Sequence, residues 1–216
     1  MTSNVNFDGC LFQGYHASDH DGNGIGVLLQ SSSAGDGIVY NFNQCGFFYM
    51  GVGIQYGSYI QGVQVNLCNF TNGITGIYCP SGGTDLAQLS VANSQFNTFG
   101  NDIELQSAIA QVSLVNNLMY VWQGNTGLYA PYAAGVIVVG NNFCNAGSPN
   151  TGQNGVIINN NSFPSTITGN AFLRLTTGVW LQSGCSNVNV QSNDYVGCNN
   201  TVINSGSGNT VGGGSA

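Results

Sequence analysis

Lysine is absent from this chain of 216 residues and arginine occurs once, at Arg174. Against that single cation stand eight acidic residues, for a formal net charge of −7. A chain with one cation cannot neutralise a run of phosphates, which argues against nucleic-acid binding. Attraction to an anionic membrane surface is excluded for the same reason. Charged residues make up only 4%, where an ordinary soluble domain carries roughly a quarter, so solubility rests on Asn, Gln, Ser, Thr and Gly. Helix formers such as Lys and Glu are nearly missing, and the composition favours strands and tight turns. No apolar run approaches the ~20 residues of a membrane-spanning helix. The opening MTSNVNFDGCLF has neither a basic stretch nor an apolar one, so no secretory signal is expected there. The seven cysteines are an odd number without CxxC spacing, which points to buried free thiols rather than metal knuckles.

What the chain does have is a repeat. FDGCLF (7–12), FNQCGF (42–47), VNLCNF (65–70) and VANSQF (91–96) align with one another. Four further segments join them, around LVNNLM (114–119), Val138 to Phe143, ITGNAF (167–172) and VQSNDY (190–195). Each places a small polar residue two positions before a large apolar anchor. The anchors are Phe12, Phe47, Phe70, Phe96, Met119, Phe143, Phe172 and Tyr195. A second apolar position, usually preceded by Gly, follows seven residues later at Ile54, Ile77, Ile103, Val179 and Val202, and after small insertions at Ile25, Leu128 and Val156. Alternation around these positions is the period-two signature of strands.

A unit this short cannot bury its own apolar face, so it must stack on its neighbours. Stacking in register predicts a parallel coil with one turn per repeat. The small polar column reads Cys10, Cys45, Cys68, Ser94, Asn117, Asn141, Asn170, Asn193, and stacked Asn side chains hydrogen-bond along an axis in ladders. The expected fold is therefore all-β: a single-stranded right-handed parallel β-helix of about eight turns over residues 1–204, with an internal Asn/Cys/Ser ladder and a Gly/Ser-rich tail at 205–216. The spacing is too long for the hexapeptides of a left-handed β-helix, and the GGxGxD repeats of a calcium-binding β-roll are absent.

These repeats and the asparagine column resemble the right-handed parallel β-helix proteins of the pectin-lyase-like superfamily, whose members include phage tailspikes and polysaccharide depolymerases. The resemblance covers roughly residues 5–203 and is one of architecture, which does not fix function. It implies an extracellular or virion-surface setting, a polysaccharide or other glycan as partner, and side-by-side assembly into a homotrimer. The chain departs from the family's enzymes in two respects. Lyases of this type use a basic residue beside a carboxylate, and Arg174 is three turns from Glu104. The NTD, DD, GHG and RxK pattern of polygalacturonases is missing.

Two constellations remain as candidate sites. In GNDIEL (100–105), inward Ile103 and Leu105 imply that Asp102 and Glu104 both face outward, with Cα atoms ~6.7 Å apart. Inverting glycosidases hold their carboxyl groups about 6.5–9.5 Å apart, so a catalytic role would make this a two-carboxylate glycoside hydrolase rather than a lyase. The outward column one residue past the apolar position reads Gln55, Tyr78, Glu104, Tyr129, Ile157, Trp180 and Ile203. Tyr78, Tyr129, Trp180 and Gln55 are the expected substrate-binding residues, since flat apolar rings beside polar groups suit a sugar. The same column reads equally as an oligomer interface of a non-catalytic spike, fibre or surface protein, with the acids keeping a bare sheet in solution. The second constellation is DHDGNG, where Asp19, Asp21 and Asn23 match the start of a calcium loop. Its twelfth position is Gln30 instead of Glu, so any calcium would be weakly held.

Overall fold

The structure, a computed structural model, describes residues 3–14, 24–33, 37–83, 86–146, 151–159 and 163–212. Among these residues there is no helix, and 25 short strands form three parallel sheets. Every third strand belongs to the same sheet, so the sheets hold nine, eight and eight strands in simple sequence order. Each repeat thus makes one three-strand rung, and the rungs stack into a parallel β-solenoid of about seven turns. The fourth rung, for example, consists of Leu86–Ala92, Gln95–Asn97 and Ile103–Leu105. The first sheet continues past Asn204, because Thr210–Val211 pairs with Val188–Gln191.

Two files of side chains run through the core. Seven of the anchors stack as rings in two runs: Phe12, Phe47, Phe70 and Phe96 at centroid separations of 4.5–4.8 Å, then Phe143, Phe172 and Tyr195 at 5.0 and 5.2 Å. Phe12 to Phe96 supply four rings and Phe143 to Tyr195 three, with Met119 as the break between the runs. Such contacts add about 0.5–1.5 kcal/mol each beyond area burial.

The second file is the expected ladder. Asn141 Oδ1 accepts from the backbone N–H of Asn117 at 2.8 Å and from its Nδ2 at 2.9 Å. Asn170 does the same for Asn141, and Asn193 for Asn170. Each amide also reaches back to a carbonyl of the preceding rung, as Asn141 Nδ2 does to Leu114 O at 2.9 Å. Ser94 Oγ and Cys68 Sγ continue the file by accepting from Cys68 N–H and Cys45 N–H. Burial pushes the Cys68 thiol up to about 11, so it serves as an uncharged rung. All seven cysteines are free thiols.

The residue before each rung of the ladder turns the chain from the first sheet into the second. There the backbone takes positive φ, from 51° at Asn93 to 68° at Gly140. That left-handed corner explains the Gly and Asn at this position, where a Cβ is otherwise strained.

Candidate functional site

The third sheet carries the predicted column in register. Gln55 pairs with Tyr78, Tyr78 with Glu104, Glu104 with Tyr129, and onward through Ile157 and Trp180 to Ile203. Gln55, Tyr78, Glu104, Tyr129 and Trp180 are half-buried on the outer face. Ile157, covered between Tyr129 and Trp180, is only 6% exposed. Parallel pairing sets neighbours in this file ~4.8 Å apart.

Glu104 is the only glutamate in the chain, and its carboxylate is held by two neutral amides. Asn101 Nδ2 donates to Oε2 at 3.0 Å, and Gln106 Nε2 donates to Oε1. Asn101 is itself fixed, because its Oδ1 accepts from Thr126 N–H at 2.8 Å. The two amides were not singled out in the sequence, though their positions three before and two after the lone glutamate were a readable signal. Beside Glu104 an open groove of about 390 Å³ runs along the sheet, lined by Gln55, Tyr78 and Glu104 and walled by Ile25, Val52 and Ile74. Burial first, and the negative charge of Glu104 second, push the Tyr78 hydroxyl above its ordinary value. A second open recess of about 300 Å³ includes Trp180, Asn159 and Gln182.

The expectation that Asp102 shares the outer face with Glu104 is overturned. Asp102 is 1% exposed and points into the core. It lies before the strand Ile103–Leu105, and its carbonyl accepts from two successive amides, Gly76 N–H and Ile77 N–H, both at 3.1 Å. Two residues facing one mark a bulge, here at Gly76 and Ile77 of the neighbouring strand, and Asp102 opposite it lies outside the regular strand whose alternation the outward assignment assumed. Its Oδ1 accepts from Thr98 Oγ1 at 2.7 Å, while Oδ2 is buried without a hydrogen-bond partner. Burial raises this carboxyl well above the ordinary carboxylate range, and the hydrogen bonds from Thr98 only partly oppose it.

The register shows what is unusual about position 102. Its column reads Gly26, Gly53, Gly76, Asp102, Gly127, Gly155, Gly178. These glycines lie under the aromatic anchor of the next rung: a Cβ at Gly155 would sit 2.5 Å from the Phe172 ring, and one at Gly76 would sit 2.7 Å from Phe96. Where the glycine is replaced by Asp102, the anchor of the next rung is Met119. The flexible thioether chain takes the place that a rigid ring fills elsewhere.

Among the described residues the arrangement therefore offers one carboxylate, not two, on the aromatic face. The other described carboxylates, Asp8 and Asp194, belong to the first and second sheets in the first and last complete rungs. The calcium-loop residues Asp19, Asp21 and Asn23 lie outside the described residues. Compared with known proteins, the chain matches no family model, no curated protein and no solved structure.

Proposed function

We propose that the outer face of the third sheet binds a glycan and does not cleave it. In this reading the chain is a carbohydrate-binding module of an extracellular or virion-surface protein of the tailspike kind within the pectin-lyase-like group. The observation that carries the reading is the continuous file Gln55, Tyr78, Glu104, Tyr129, with Trp180 two rungs beyond Tyr129, bordering an open groove. Rings spaced by one rung offer apolar platforms for successive sugars, and Gln55 and Glu104 offer hydrogen-bond partners at their edges. Hydrolysis would need a second carboxyl within reach of the same bond, and the burial of Asp102 removes the partner that the sequence suggested.

A second reading rests on the other end of the file. Tyr129, Ile157, Trp180 and Ile203 follow one another without a charge, as a side-by-side interface with two further copies of the chain would require. Binding to a broad polysaccharide panel, measured for the native protein and for Tyr78→Ala, separates the two. Glycan recognition predicts retention on at least one polysaccharide and a loss of about tenfold or more in the variant, in line with an aromatic anchor. A silent panel, together with assembly that depends on concentration, would favour the interface.

A further inference from the structure

The charge balance around Glu104 narrows the kind of glycan that this face would take; the inference rests on the glycan-binding reading above. Among the described residues both partners of the Glu104 carboxylate are neutral amides, so its negative charge is oriented but not compensated by them. Arg174, the only basic side chain among the described residues, follows the strand Ala171–Leu173, three rungs from Glu104, roughly 14 Å along the axis. The whole chain carries a net −7, which repels uronic, sialic or sulfated sugars and attracts cations. On either side of Glu104 stands a tyrosine, Tyr78 and Tyr129, one rung away in each direction. A fixed carboxylate between two aromatic side chains is suited to an ammonium group, through ion pairing and cation–π attraction together. Each carboxylate oxygen spends one lone pair on its amide and retains further acceptor capacity, and Glu104 lines the groove.

We infer that the groove is selective for an amine-bearing glycan, a polymer of 2-amino sugars with free amino groups, over neutral and acidic ones. One ammonium would lie at Glu104 with the sugar rings following the file toward Gln55 in one direction and Tyr129 in the other.

Calorimetric titration with three matched oligosaccharides tests this: a chitosan oligomer, its fully N-acetylated counterpart, and an oligogalacturonate. The chitosan oligomer should bind about tenfold tighter than the acetylated one, and added sodium chloride should shrink that ratio. Glu104→Gln, which keeps the shape and removes the charge while turning one of the two acceptor oxygens into a donor, should bring the ratio close to one. General attraction between a polycation and an acidic protein would hardly notice the loss of one charge among many, so a ratio unchanged in Glu104→Gln overturns the inference. Equal binding of the acetylated and free amines, or preference for the oligogalacturonate, also overturns it while leaving glycan recognition in place. If none of the three binds, the inference fails, and the broad panel decides separately whether glycan recognition survives.

Discussion

At the scale of single residues, Asp102 is the feature with the clearest measurable consequence. Its carboxyl is buried in the folded chain and solvated in the unfolded one, so the folded pKa lies above the unfolded value. Folding then favours the protonated form. The contribution is fully present below the unfolded pKa and is lost as pH rises through the folded one. The native protein should lose urea resistance progressively as pH rises above the ordinary Asp value of about 4, whereas Asp102→Asn, neutral throughout, should show a much flatter profile. Parallel profiles for the two proteins would mean that Asp102 is ionised in the fold. Glu104 shows why the sequence could be read for one acid and not the other. It sits within a regular strand, where alternation holds, while Asp102 precedes that strand and faces the bulge formed by Gly76 and Ile77 of the neighbouring one. A bulge leaves no mark in a hydrophobic pattern, and the usual glycine of that column has no side chain to betray its direction.

At the scale of the repeating element, the governing relation is that each rung's glycine lies beneath the next rung's ring. The pairing of Asp102 with Met119 is the single exchange of both partners. Met119→Phe alone should cost about 1–3 kcal/mol through overpacking, and Asp102→Gly alone leaves space beside a flexible chain. The double variant should restore the relation seen in the other rungs, with a favourable coupling of about 1–2 kcal/mol in a double-mutant cycle of urea denaturations. Additive effects would show that positions 102 and 119 do not share that space. The ladder and the ring file were legible in the sequence because both consist of one residue type recurring at a fixed offset: Asn117, Asn141, Asn170 and Asn193 in one, the phenylalanines in the other. The glycines preceding Ile54, Ile77 and Val179 were visible too, but their reason was not. It depends on a contact between successive rungs that no spacing within one rung reveals.

At the scale of the whole molecule, in-register stacking converts a residue position into a straight file along the solenoid, so recognition surfaces arise as columns. That is why Gln55, Tyr78, Glu104, Tyr129 and Trp180 could be placed together from the repeat alone, although they span 126 residues of chain from 55 to 180. The groove beside them was not legible, because it depends on where Ile25, Val52 and Ile74 of successive rungs come together beside the column. The central claim, that a glycan lies along this column, is tested most directly with the chain's own fluorophore. There are two tryptophans; Trp122 donates to Asn97 Oδ1 beside Phe99, away from the column. In Trp122→Phe the emission comes from Trp180 alone. Titrating that variant with a glycan that binds in calorimetry should shift its tryptophan emission to the blue, with the same midpoint as the heat, as a sugar covers the indole. Binding heat with no change in the Trp180 emission would place the glycan elsewhere and contradict the account.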